Sequence, residues 1–307
     1  MVPGGATEAL GLDAGRGRRA LSSAERASFR HPAYADSLVA GMRNGQLVEA
    51  LVGMASMKRL YVLGFSVFAV TVCGRGFAQE PSPPRFKAVA FDYFVIFDAN
   101  SVIPTVEEAF PGKGGEFTKA WRAKQFEYGF LRSITSRHTD FFKVTEDALI
   151  YTAEAMKLDL PPEKRKRLLN AYLTLKPWPD AVGALRKLKA SGVRIITIAN
   201  FSPKMLQANA DHAGITDLFD ELLSTEVNGT YKPDPRAYAL GMERLKLKKE
   251  EILFAAFGGW DAYGAKSFGY TTYWVNRFNL PAEELGVQPD KTSNNLEGLL
   301  KLVLGKP

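Results

Sequence analysis

Cysteine is nearly absent from this chain. Cys73 is the single one in 307 residues, which excludes an intrachain disulfide and a thiolate metal cluster. Histidine is almost as scarce: His31, His138 and His212 are the only three, and none is spaced for a zinc site. A serine–histidine–aspartate triad therefore has few candidates. No internal repeat is evident, and no basic run with interleaved aromatics suggests nucleic-acid binding. The net charge of +7 adds little to that question, because it is unevenly placed. Residues 1–78 hold nine Lys and Arg against five acids, more than half of the excess. The whole chain is 46% hydrophobic and 24% charged, the composition of a soluble globular protein. Any chemistry here is expected to run on carboxylates, lysine and arginine.

One apolar stretch stands out near the start. Lys58 and Arg59 precede a charge-free run from Leu60 to Gly74, and Gly76-Phe77-Ala78 then offers a small-x-small cleavage pattern. That order reads as a secretory signal peptide over 57–78, and hence as export to a bacterial periplasm. The run is short for a membrane span, which needs about 20 residues. A short membrane anchor is the alternative; with cleavage, no stable membrane partner remains. Signal peptides begin a chain, so Met57 is the expected natural start and 1–56 a non-native or disordered extension. Pro81, Pro83 and Pro84 mark 79–85 as a stiff linker.

The folded part alternates in character. Lys87 to Phe91 is a short apolar run that fits a buried strand, ended by Asp92. From about Glu107 to Leu175 the pattern is helical, with Phe117, Trp121, Gln125, Tyr128 and Leu131 at helical spacing. Beyond it, strands are expected at 193–198, 252–257 and 271–275, and a short one within 218–223. Helices are expected at 181–190, from Pro203 to near Gly214, at 235–245, 262–268 and 296–304, with Gly and Pro as punctuation. Strand–helix alternation implies α/β architecture with a Rossmann-like parallel sheet. The core is expected over 86–103 and 176–307, with an all-helical cap subdomain inserted over 104–175. Ligands in such sheets bind beyond the carboxyl ends of the strands, which draws attention to Asp92, Asn200, Lys232 and Asp261.

Each of these four is weak alone, since an Asp after a strand is a routine helix cap and Lys-Pro-Asp a common turn. Their order, with a helical insert after the first, is far more specific. The chain resembles the haloacid dehalogenase superfamily, and within it the L-2-haloacid dehalogenases (type II), from about Phe86 to Leu304. The resemblance is carried by FPGKGGEFTKAWRAKQFEYGFLRS, TEDAL, ANFSP, YKPDPRAY and GGWDAYGAKSFGY. It implies hydrolytic dehalogenation of a short halogenated carboxylic acid, a 2-haloalkanoic acid. The Asp92 carboxylate attacks the substrate Cα, halide leaves, and water hydrolyses the resulting ester. It also implies that Arg122 receives the halide and that Asn200 assists at the halide or the substrate carboxylate. Lys232 then holds Asp92 ionised by its charge, and Asp261 orients Lys232 or the hydrolytic water. Phe94, Phe126, Phe141, Tyr238 and Trp260 become the substrate-binding wall. No metal or cofactor is expected, and a homodimer is, because family members are often dimers.

The residue types suit this reaction. Halide leaves as a stable anion and needs no general acid. Phosphatases of the superfamily place a proton-donating Asp two positions after the nucleophile, where this chain has Phe94. The last motif holds one acid, Asp261, rather than the pair that helps to hold magnesium.

The sequence also departs from the family. The first motif, Asp-x-Tyr-Gly-Thr-Leu-x-Asp, is shortened by one residue between Asp92 and Asp98, and its Gly and Thr are missing. The hydroxyl of the second motif is replaced by Ala199, which removes a hydrogen bond worth about 1.5–3 kcal/mol to a charged acceptor. Ala256 and Gly258 stand at the family's Ser and Asn positions, and Ala123 follows the Trp-Arg pair where glutamine is common. The charged frame is complete while several neutral hydrogen-bonding groups are gone. Two further readings stay open on these residues: an impaired member that binds small carboxylates or anions, and a phosphatase-like hydrolase.

Overall fold

The computed structural model describes residues 85–305. The expected N-terminal extension, the signal peptide and all of the linker but Arg85 lie outside the described residues. Four strands of four or five residues build the centre: β1 (Ala88–Phe91), β4 (Arg194–Thr197), β5 (Ile252–Ala256) and β6 (Thr271–Val275). A fifth, β7 (Lys291–Ser293), closes one edge. All pair in parallel, in the order β4-β1-β5-β6-β7.

Alternation along the strands sends side chains to two cores. Val89, Phe91, Ile195, Leu253, Ala255, Tyr273 and Val275 face one way. They meet α6 (Ala181–Ala190), α7 (Pro203–His212) and α10 (Glu297–Leu304). Ala88, Ala90, Ile196, Ile252, Phe254, Ala256 and Trp274 face the other way, against α8 (Pro235–Leu245) and α9 (Gly259–Phe268). A sheet covered on both faces draws apolar residues to both sides of its central strands, which is why β1 and β5 read as unbroken apolar runs. Chain order steps from β1 to β4 on one side and returns to β5 on the other. The topological switch therefore falls at the carboxyl end of β1, where Asp92 stands.

A helical insert leaves this core between two short strands, β2 (Phe97–Asp98) and β3 (Lys176–Pro177), which pair antiparallel at its root. It consists of α2 (Ile103–Ala109), α3 (Gly114–Ile134), α4 (Phe141–Ala155) and α5 (Pro162–Ala171). Buried hydrogen bonds join α3 to α4: Trp121 Nε1 donates to the Thr145 carbonyl at 2.8 Å, and Gln125 Nε2 to Thr145 Oγ1 at 2.9 Å. The helical spacing read along α3 rotates off the core toward its end. Phe117, Trp121 and Gln125 are buried, whereas Leu131 is 49% exposed.

Two expectations are corrected. Residues 218–223 do not form a continuous strand; Glu221 meets Ile196 of β4 in an isolated bridge, and just beyond the segment Ser224 meets Ala199 in another. The Asp220 carboxylate accepts the Ile195 N–H at 2.7 Å, so a side chain takes a bond that a ladder would need. Helix α9 begins at Gly259, not Ala262, because Ala262 N–H already donates to the Gly258 carbonyl at 2.9 Å. The earlier start places Trp260 and Asp261 in its first turn. Elements not foreseen are the short strands β2, β3 and β7 and a single helical turn, α1 (Tyr93–Ile96), directly after Asp92.

Candidate active site

The end of β1 delivers Asp92 into a nearly dry site, and the residue is 8% exposed. Its Oδ1 accepts the Phe94 N–H at 2.9 Å, capping α1. Its Oδ2 accepts from Lys232 Nζ at 2.7 Å. The same ammonium donates to Asp261 Oδ2 at 2.8 Å, so one buried cation bridges two carboxylates from the ends of β1 and β5. The space between the two acids, where a bound cation would sit, is thus taken by the protein's own ammonium.

Lys232 is fully buried, which alone would lower its pKa. The charges of Asp261 and Asp92 outweigh burial and hold it above 10.5. Burial pushes the Asp261 carboxyl up to about 6, against the pull of Lys232. Tyr238 OH donates to Asp261 Oδ1 at 2.8 Å, so both Asp261 oxygens are occupied. Asn200 holds the lysine from behind. Its Oδ1 accepts the Lys232 N–H at 2.8 Å and the Thr225 hydroxyl at 3.2 Å, and its Nδ2 donates to the Lys232 carbonyl at 3.4 Å.

Arg122, from α3, approaches from the insert. Its guanidinium carbon lies 5.0 Å from the Phe94 ring centre, 5.7 Å from Phe257 and 5.9 Å from Phe126. Nε is wholly enclosed and has no hydrogen-bond partner. Burial lowers the pKa of this group, while Tyr172, Asp92 and Asp98 act in the opposite direction. A cation caged by ring faces, with an unmatched buried donor, is suited to receive a small anion. Trp260 packs edge-on against Phe126 and Phe130, each at 5.3 Å, and Phe141 lies against Phe201 and Tyr231.

The structure thus brings Asp92, Lys232 and Asp261 into one ionic group, with Arg122, Phe94 and Phe126 joined through ring contacts. It corrects one expected role. Tyr238 is fully buried against Asp261, to which its hydroxyl donates, so it does not line a substrate wall. Asn200 has its oxygen committed to Lys232 and Thr225, which leaves its amide N–H groups as what it can offer an anion. The nearby acid Glu127 on the same helix pairs with Lys124 at 2.7 Å. The reading of the sequence missed Thr225, Phe201 and Phe257. Phe201 carries a local signal, since it follows Asn200 within ANFSP. At Gly258 a side chain would collide with Trp260, whose Nε1 lies 2.6 Å from where a Cβ would stand.

Comparison with known proteins agrees with this geometry. The model of the haloacid dehalogenase-like hydrolases matches residues 85–269. An (S)-2-haloacid dehalogenase of Pseudomonas sp. (strain YL) is 42% identical over 217 residues, 70% of this chain and 94% of that protein. Haloacetate dehalogenase H-2 of Moraxella sp. (strain B) is 38% identical over 71% of this chain and 98% of its own length. The solved L-2-haloacid dehalogenase of Xanthobacter autotrophicus with covalently bound chloropropionic acid superimposes with a TM-score of 0.68. It is 34% identical and is covered completely, by 72% of this chain. The chain therefore belongs to the haloacid dehalogenase-like hydrolases and, within them, to the L-2-haloacid dehalogenase family.

Proposed function

We infer that this protein hydrolyses the carbon–halogen bond of short 2-haloalkanoic acids through an ester on Asp92. The observation that carries this reading is the placement of Asp92: a nearly dry carboxyl group whose two oxygens accept from the Phe94 N–H and the Lys232 ammonium. Position 94 offers no proton. Such a carboxylate is poised as a nucleophile, not as an acid.

An Asp92 oxygen attacks the substrate Cα, and the C–X bond breaks with its electron pair leaving on the halide. Arg122 faces the site with an unmatched donor and an aromatic cage, and it takes up that negative charge. Water then attacks the ester carbonyl carbon. The 2-hydroxy acid departs, and the Asp92 carboxylate is restored with release of one proton. Asp261 and Tyr238 keep Lys232 in place through both steps. The segment 104–175 serves as a cap that supplies Arg122, Phe126 and Phe141.

Halide release from L-2-chloro- and L-2-bromopropionate by the full chain, beside Asp92→Asn, tests the reading. The parent releases halide, and the variant falls by at least about 1,000-fold with the nucleophile gone. Release that persists in the variant overturns the covalent route. We propose in addition that the chain is exported: Lys58, Arg59, the apolar run to Gly74 and Gly76-Phe77-Ala78 support this. Amino-terminal sequencing of protein from a bacterial periplasm should then begin at Gln79, and a retained Met57 overturns it. Sedimentation of the purified protein tests the homodimer that the family suggests.

A further inference from the structure

The turn α1 ought not to hold by itself. It has four residues, far below the length at which a helix persists, and Val95 and Ile96 are β-branched. It also lacks the glycine and threonine of the family motif and is one residue short. Yet Asp92 depends on it, because the Phe94 N–H fixes Asp92 Oδ1. Burial of Tyr93, Phe94, Val95 and Ile96 anchors the side chains but does not set which way the peptide planes face.

The carbonyls of the turn show what does. The Tyr93 carbonyl accepts from Phe97 N–H, within the turn itself. The other three accept from two distant residues. Trp178 Nε1 donates to the Phe94 carbonyl at 3.0 Å, and Trp178 N–H to the Ile96 carbonyl at 2.9 Å. Arg277 Nη2 donates to the Val95 carbonyl at 2.9 Å. Arg277 is itself clamped: Nη1 meets both Asp180 oxygens at 2.8 Å, and its guanidinium lies 4.9 Å over the Trp178 ring. The Asp180 carboxylate also accepts the Leu296 N–H at 2.9 Å, which ties the assembly to the start of α10.

We propose that Trp178 and Arg277, with Asp180 behind them, are positioning residues for the nucleophile. They orient the peptide planes of the shortened turn and so aim Asp92 at the substrate carbon. They touch neither Asp92 nor the substrate; they act through the Phe94 and Val95 carbonyls. This inference rests on the dehalogenase reading of Asp92.

The test is single-turnover ester formation, followed as the mass gain of the Asp92 peptide after quenching the full-length enzyme with L-2-bromopropionate. Trp178→Phe removes one donor and keeps the ring, so it preserves the stacking on Arg277. Arg277→Lys keeps the charge opposite Asp180 and loses the fork. Both variants should form the ester about 10-fold more slowly than the parent, with KM unchanged, since a small misalignment of reacting groups is costly. A merely structural role would lower the melting temperature and leave the ester rate of the folded fraction unaltered. That result, with a parent that forms ester, overturns the brace alone. A parent that forms neither ester nor halide overturns the dehalogenase reading and the brace with it.

Discussion

The two halves of the active site are built on opposite plans. On the core side, Asp92, Lys232, Asp261, Tyr238 and Asn200 commit their polar atoms to one another, at 2.7–3.4 Å. On the insert side, Arg122 lies over the Phe126 ring, against which Trp260 of α9 packs edge-on, and Arg122 Nε has no hydrogen-bond partner. The first half is a closed network with two anions around one cation. The second keeps a donor in reserve behind apolar walls. In the reaction proposed above the difference separates two tasks: the closed half directs the nucleophile, and the other half takes up the departing halide.

The sharpest way to break the comparison is Lys232→Met. It leaves Asp92 and Asp261 buried without their shared cation, which costs about 3–5 kcal/mol of stability. Halide release should fall by more than about 100-fold, because the hydrogen bond and the charge that hold Asp92 Oδ2 are lost. The pH dependence follows from the direction of the lysine shift. The Lys232 pKa lies above its ordinary 10.5 despite burial, through the charges of Asp261 and Asp92. A value raised in the folded state contributes stability that is complete below 10.5 and is lost as pH rises through the folded value. Urea unfolding should therefore show the full gap between parent and variant at about pH 9, and a narrowing gap above 10.5. A gap that instead widens with alkali would contradict the bridging role.

Much of the closed half was legible in the sequence, and the reason is local. Asp92 and Asp261 each follow an apolar strand, and Lys232 lies in YKPDP, so strand ends and turn residues announce them. The parallel sheet followed from strands of four or five apolar residues set between helices. Roles that depend on direction were not legible. Tyr238 sits on α8 at a helical spacing that says only that it is buried; that its hydroxyl faces Asp261 is a tertiary fact. The same holds for Trp178 and Arg277, which lie 84 and 182 residues from the carbonyls their side chains hold. The strand expected within 218–223 failed because Asp220, a side chain, took a ladder position that apolar patterning does not register.

A smaller effect probes the open half. Arg122→Lys keeps the positive charge but loses the flat guanidinium that lies among Phe94, Phe257 and Phe126. A lysine ammonium is a compact, strongly hydrated charge and suits such a cage poorly. Halide release should drop by about 10- to 100-fold, while stability shifts by less than about 1 kcal/mol, because no hydrogen bond of Nε is lost. Inhibition by added chloride should weaken in parallel. Loss of stability on the scale of the Lys232 variant would mean that both halves are closed networks and would dissolve the distinction.

The smallest effect comes from Gly258→Ala, at the seam between the halves. A Cβ there would stand 2.6 Å from Trp260 Nε1 and 3.0 Å from its Cδ1, closer than atoms tolerate. Something must move, and the backbone of α9 is tied to Asp261, whose two oxygens are already held. The indole lies at the end of two rotatable bonds against Phe126 and Phe130, contacts that are apolar and adjustable. The ring therefore yields and the ionic group does not. Stability should change by less than about 1 kcal/mol, and tryptophan emission should shift to the red as the indole gains contact with water. KM should rise about 2- to 5-fold with kcat held, the signature of a wall that touches the bound acid equally before and during reaction. A fall in kcat at constant KM would place the displacement on Asp261 instead, and the two halves would then be coupled through the first turn of α9.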